Sequence, residues 1–251
     1  MYLWKYWRES RIVFLACVVG IAYLYIRVLG IQVNNPGNMK LIAKGFQMLV
    51  YVQMIPLCFV GWLFGSIGAG RDLGEKSGSF LFTRPRSRAF FVWSDWAFGI
   101  VQLFILVALI NGVEWLQVHR DFQEVGMHDR VLFSGGTSYS LITVIGLTGF
   151  IIFLVVALVF SLTYFFTIVV KNIRGVILGA GVLVGYVFLA ARIKHYWPNV
   201  ELPSLMQRPF AIFNEGITGF TDHLGMLLLL RTAIILLFPL AAQIVLQKVD
   251  I

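Results

Sequence analysis

The sequence predicts an all-α integral membrane fold: about six transmembrane helices, an N-terminal interfacial helix, and a short extra helix in one connection. Three observations predict it: a composition outside the soluble range, apolar runs of bilayer-spanning length, and charges gathered between those runs. Of the 251 residues, 59% are hydrophobic and only 13% charged, and the mean hydropathy is +0.84. Soluble domains carry charge on roughly a quarter of their residues. The 22 Phe, nine Tyr and seven Trp suit helix faces in hydrocarbon and helix ends at the headgroup level.

A helix rises 1.5 Å per residue and the hydrocarbon core is about 30 Å thick, so a crossing takes roughly 20 apolar residues. Six runs qualify. Residues 12–33 are broken only by Arg27, whose stem can snorkel to the interface, and residues 45–69 carry no charge. Residues 89–113 hold one acid, Asp95, near their start. Residues 141–170 are uncharged and long enough to tilt. Residues 175–191 are short and glycine-rich, and residues 224–246 hold Arg231 about two turns in. The pairs Gly61/Gly65, Gly175/Gly179 and Gly181/Gly185 have the small-xxx-small spacing that lets helix backbones approach, either inside the bundle or at a subunit interface. The chain reads as one transmembrane domain over 1–251, with the interfacial helix at 1–11, a cytoplasmic loop at 70–88 and an external loop at 192–223.

The net charge of +8 is read as topology determinants beside anionic lipid rather than as a nucleic-acid surface, because the charges lie between apolar runs. With the N-terminus inside, the cytoplasmic side collects eleven Lys and Arg against eight outside, and residues 71–88 carry most of the bias. That predicts a multi-pass protein of the cell membrane with both termini cytoplasmic. The start of the chain is aromatic and basic with no A-x-A pattern after the first run, so cleavage as a signal peptide is not expected.

Cys17 and Cys58 fall in apolar runs and read as small packing residues, and His119, His128, His195 and His223 lack metal-ligand spacing. No catalytic residue, metal site or cofactor is expected. Arg231 in hydrocarbon costs a few kcal/mol or more unless it pairs, snorkels or faces water. It lines the path of an anionic or amphipathic substrate, or it is a structural pair or snorkel. Asp95 is expected to pair with a loop arginine at the cytoplasmic end. The fifth connection, 192–223, has Pro198, Pro203 and Pro209 between apolar patches and suits short external helices.

Two segments carry a mechanism. In residues 1–11, MYLWKYWRESR, a 100° step puts Tyr2, Leu3, Trp4, Tyr6 and Trp7 along one arc, with Lys5, Arg8 and Glu9 opposite. That is the pattern of an interfacial helix; the alternative is a frayed basic tail. In residues 70–88, Arg84 precedes Pro85 and is biased away from the helical region, so a short helix from about Glu75 to Thr83 stops there. Phe80, Leu81 and Phe82 are bulky apolar residues in a charged loop, and they dock on a partner or dip into the bilayer.

The run LGEKSGSFLFTRPRSR over residues 73–88 resembles the "FLLTRPVSR"-like segment between spans two and three of type-2 ABC exporter permeases. The opening Leu3-Trp4-Lys5 with Trp7-Arg8-Glu9-Ser10-Arg11 resembles their "LWKEWRESR"-like start, and the six-span layout is similar over nearly the whole chain. Ser79 stands where that family often has Thr, and Arg86 where an apolar residue is usual. The resemblance implies that the loop is a cytoplasmic coupling helix, with Glu75, Lys76, Phe80, Leu81, Phe82 and Arg84 meeting a separate ABC ATPase subunit. It further implies a second permease chain, identical or different. Besides these protein partners and membrane lipid, no nucleic acid is expected.

The chain contains no G-x-x-x-x-G-K-[ST] loop to cradle phosphates, so ATP hydrolysis is assigned to the partner and the chain is not expected to be an enzyme. Phe133-Ser134-Gly135-Gly136-Thr137 faintly resembles an ATPase signature, but it lies in a loop placed outside, with no nucleotide fold around it. The expected function is therefore the permease subunit of an ABC exporter. The competing readings are a non-transporting membrane anchor or assembly factor, and an intramembrane enzyme. The last needs a nucleophile with its base, or an acidic metal cluster, at membrane depth.

The charge count makes a direct prediction about orientation. With Cys17 and Cys58 replaced, a thiol at Asn35 reacts with an impermeant reagent in intact cells, and one at Ser77 is protected until the membrane is opened. The reverse pattern inverts the topology.

Overall fold

The computed structural model describes residues 7–8, 10–20, 22–23, 54, 56–67, 88–124, 130–132, 138–170, 177–182, 184–185 and 217–248. They are almost wholly helical. In chain order the helices are α1 (Ser10–Gly20) and α2 (Pro56–Ile67), α3 (Arg88–Glu124), α4 (Leu141–Val170), α5 (residues 177–182) and α6 (Ile217–Lys248). Three contain stretches long and apolar enough to cross a membrane: Ala89–Leu116, Leu141–Val170 and Leu228–Gln247. The chain is accordingly a helical membrane protein. Helix α1 is a shorter apolar piece that starts two residues before the first expected run, within the last two residues of the expected interfacial helix; α2 lies inside the second run and α5 inside the fifth.

Helix α4 keeps the bounds expected from the sequence, whereas two neighbours are longer. Helix α3 runs 37 residues to Glu124, roughly 55 Å, well past the expected end of its apolar run at Val113. Helix α6 begins at Ile217 rather than at Leu224. The connection after α3 also departs from an all-α expectation. Strand β1 (Arg130–Leu132) pairs antiparallel with β2 (Ser138–Ser140), with Arg130 opposite Ser140 and Leu132 opposite Ser138. The run from Phe133 to Thr137 between them lies outside the described residues. Ser140 then caps α4: its Oγ accepts the Thr143 N–H at 3.3 Å, satisfying a donor that the first helical turn leaves open.

Side-chain contacts fix the directions of the helices. Near one end of the bundle, Tyr164 of α4 meets Val92 of α3 and Gln243 of α6 meets Trp93 of α3. Toward the other end, Asn111 of α3 lies against Gly149 of α4. Helix α3 is therefore antiparallel to α4 and α6, which run the same way. Helix α2 also runs with α4, since Gly61 faces Val156 and Gly65 faces Phe160 and Thr163.

The core is organised around α4. Of its apolar stretch 67% is buried, against 39% in α3 and 22% in α6. Val144, Ile152, Val156, Phe160, Tyr164 and Ile168 of α4 form one cluster with Leu57, Val60 and Phe64 of α2 and with Val92, Leu103 and Leu106 of α3. Val13, Phe14, Cys17 and Cys58 pack against it, in keeping with the packing role expected of the cysteines. On the α6 side, Leu154, Ala157 and Leu158 gather with Ile235.

Among the expected small-xxx-small pairs, Gly61/Gly65 is used within the bundle. A Cβ on Gly61 would lie 2.9 Å from the Val156 carbonyl oxygen, and one on Gly65 would lie 2.8 Å from that of Phe160. Neither carbonyl can retreat without bending α4. Gly179 is held less tightly, its added Cβ meeting the Thr163 Cα at 3.3 Å, while Gly181 and Gly185 meet nothing within 4 Å. Gly175 lies outside the described residues. Gly65→Ala is therefore expected to destabilise the bundle by about 1 to 3 kcal/mol through overpacking, and Gly181→Ala to stay within about 0.5 kcal/mol of wild type. Unfolding titrations in mixed micelles, run side by side, check the difference.

Candidate functional site

The six residues expected to meet an ATPase, Glu75, Lys76, Phe80, Leu81, Phe82 and Arg84, lie outside the described residues. So does most of the expected interfacial helix. Of its end, Trp7 packs its ring 5.9 Å from that of Phe14, and Ser10 is buried. Ser10 Oγ accepts a hydrogen bond from Gln102 Nε2 at 2.8 Å. Gln102 stands roughly 21 Å along α3 from Arg88, so the chain is already inside the bundle at Ser10.

Asp95 is 3% exposed and Arg231 6%, and both face the interior. Helix α6 begins at Ile217, and Arg231 lies one turn inside its apolar stretch Leu228–Gln247. Its neighbours one turn away on either side, Leu228 and Ile235, pack with Leu154 and Leu158, at the middle of α4. Arg231 is thus a cation at mid-bundle. In such a place an arginine is retained only with interior partners, and Arg231, Asp95 and a third charged residue, Glu114, are each engaged by a neighbour.

The polar residues of α3 share its buried arc. Asp95 and Gln102, seven apart, fall within about 20° of each other, and Glu114 falls about 120° further round. Glu114 is 2% exposed. Beside it, Asn111 lies against Gly149, where any side chain on α4 would collide with the amide, and Asn111 Nδ2 donates to the Val107 carbonyl at 2.8 Å. Thr148 is buried at the same level of α4, and its Oγ has no hydrogen-bond partner among the described residues.

Toward the Arg88 end, hydrogen bonds tie four helices. Trp96 Nε1 donates to Ser161 Oγ at 2.9 Å, Tyr164 Oη donates to the Val92 carbonyl at 3.1 Å, and Trp93 Nε1 donates to Gln243 Oε1 at 2.8 Å. Thr167 Oγ1 donates to its own helix at the Thr163 carbonyl, 2.7 Å away, and shares that proton with the Gly65 carbonyl at 3.3 Å. Between the two polar levels, Leu103, Leu106, Val107, Ile152 and Val156 are apolar and buried. Among the described residues the interior therefore has polar contacts toward each end and an apolar middle crossed by the Ser10–Gln102 bond and by Arg231.

Gln102, Ser10 and Glu114 were not visible as site residues in the sequence. Glu114 falls just past an apolar run that ends at Val113, where a charge reads as the start of a connection. One signal points inward: Glu114 is four residues after Ile110 and seven after Val107, continuing the buried stripe of α3. Among the described residues no group of three His, Cys, Asp or Glu side chains gathers as a metal site.

A double-mutant cycle on Ser10→Ala and Gln102→Leu is expected to give a coupling energy of about 0.6 kcal/mol, within the range for hydrogen bonds between membrane helices. Unfolding in mixed micelles measures it, and strict additivity would remove the bond from the account of α1 packing.

No family model, curated protein or solved structure matches the chain.

Proposed function

We propose that this chain is the permease subunit of a type-2 ABC exporter, forming with a second permease chain a pathway through which separate ATPase subunits drive a substrate. The observation that carries the reading is the run over residues 73–88, with its acid, its apolar ridge Phe80-Leu81-Phe82 and its Arg84-Pro85 stop, together with the aromatic and basic start of the chain. Helix α3 begins at Arg88, three residues after Pro85, so whatever grips the loop is joined to the bundle by almost no slack chain.

Two further features support it. Helices α4 and α6 run the same way although they follow one another as long helices, so the chain returns between them. A fifth crossing over residues 175–191 would make that return, and Gly179 already lies against Thr163. That reading brings the count to about six crossings with both termini cytoplasmic. The buried Asp95, Glu114 and Arg231 favour transport over a passive membrane anchor, which gains nothing from charge inside hydrocarbon.

In this reading Phe80 and Phe82 insert into a cleft on the ATPase while Glu75, Lys76 and Arg84 form a polar rim, the usual division between core and edge of an interface. Replacing Phe80 and Phe82 together by Ala is expected to weaken ATPase binding by about 2 to 4 kcal/mol, or to uncouple hydrolysis from transport, with membrane insertion intact. The purified assembly should contain two permease chains and two ATPases. A double variant that binds its ATPase with wild-type affinity and still transports would overturn the docking role.

A further inference from the structure

Pro239 lies inside α6. A proline has no N–H, so the Ile235 carbonyl lacks its donor four residues on, and the proline ring crowds that carbonyl. In a membrane bundle such a position is where a helix bends. The two sides of Pro239 also contribute buried residues to two different clusters, which adjoin through Trp96, Ile100 and Phe153. Before it, Ile235 gathers with Leu154, Ala157 and Leu158, and Leu228 packs on the same cluster. Beyond it, Ala242 and Leu246 belong to the larger cluster that contains Val92 and Tyr164.

The segment beyond Pro239 is also held by a directed bond, from Trp93 Nε1 to Gln243 Oε1. Trp93 sits in the second turn of α3. Its ring meets that of Trp96 edge-on at 5.6 Å, and Trp96 and Val92 are in turn bonded to Ser161 and Tyr164 of α4. Hydrogen bonds in a low-dielectric interior hold position where apolar contact alone lets helices slide.

We infer that the start of α3, the end of α4 and the end of α6 beyond Pro239 move as one body, clamped by Trp93 and Gln243, and that α6 flexes at Pro239 so that this body shifts relative to Arg231. That the ATPase supplies the displacement, through the loop leading into α3, rests on the proposed function; the clamp and the hinge do not. The device would carry motion from the membrane surface to a buried cation without unfolding any helix.

Spin labels on the full chain in lipid nanodiscs, with Cys17 and Cys58 replaced, test it. Phe90, Ile244 and Leu229 are 44%, 53% and 74% exposed, so labels there leave the core intact. The Phe90–Ile244 pair reports the clamp and should give a single narrow distance. The Leu229–Ile244 pair spans Pro239 and should give a broad distribution that narrows about twofold in Pro239→Ala, as one restored helical hydrogen bond removes the bend. Trp93→Phe, which keeps an aromatic ring and deletes the donor, should broaden the Phe90–Ile244 distances, as should Gln243→Leu. If the Leu229–Ile244 width is the same in Pro239→Ala there is no hinge, and if both clamp variants leave Phe90–Ile244 unchanged there is no clamp. Adding the ATPase with a non-hydrolysable ATP analogue should shift Leu229–Ile244 and not Phe90–Ile244. A hinge and clamp that pass the first measurements but ignore the nucleotide would sink the exporter reading and leave the hinge standing.

Discussion

Lipid tails are as apolar as leucine, so helices inside a bilayer are not pushed together by water; they stay together through close packing and hydrogen bonds. That constraint falls on one stretch of this protein, residues 156–167 of α4. Helix α2 lies backbone to backbone on it through Gly61 and Gly65. Helix α3 reaches it through Trp96 and the Val92 carbonyl, and the Phe160 ring fills the space left by Gly99. Gly179 of α5 meets it at Thr163. Four helices share twelve residues' length of surface, and the small side chains Ser161, Thr163 and Thr167 are what allow it. Each hydroxyl is spent within the bundle: Thr163 on the Val159 carbonyl, Thr167 on Thr163 and Gly65, and Ser161 on Trp96.

Close packing and polar bonding are not spread evenly along the bundle, and the difference bears on what can move. Around the start of α3, three directed bonds leave little freedom in register. Halfway along, the α4 and α6 faces meet through leucine, isoleucine and alanine, which tolerate small slides. Arg231 stands in that looser zone. A buried charge in a slack region is sensitive to small displacements, because its stabilisation depends steeply on the distance to its partners when the dielectric is low.

How much of this was legible in the sequence depended on whether the deciding physics is local. The bounds of α4 could be read directly because its uncharged run is closed by Ser140 on one side and Lys171 on the other. The Gly61/Gly65 contact was legible as a spacing, though not its partner. The long end of α3 was not legible: Glu114, His119 and Arg120 look like a connection, yet a helix needs no lipid to continue once its backbone bonds are formed, and Trp115 stacks on His119 at 5.1 Å to steady those turns. The depth of Arg231 was hidden as well, because it follows from Leu228 and Ile235 packing at the middle of α4. The burial of Glu114 and the Ser10–Gln102 bond depend on which helix faces which, information that a single sequence does not hold. The segment over 70–88 shows the opposite case, where the sequence pattern is specific and lies outside the described residues.

The placement of Asp95, only seven residues from Arg88, shows how the two kinds of information meet. From the sequence it is a carboxylate beside a basic loop, well placed to pair across the membrane boundary. In the fold it is buried, in the same two turns of α3 as Trp93 and Trp96, whose bonds join α3 to α6 and α4. A carboxylate held in that setting is costly to move to a new environment, since its partners would have to move with it or be replaced. In the proposed reading, a force applied through residues 70–88 meets, within two turns of α3, the bonds made by Val92, Trp93 and Trp96. Between those bonds and Arg231 stands Pro239, so with the hinge inferred there a displacement of the clamped end is taken up as a change in its position relative to Arg231 rather than passed rigidly along α6.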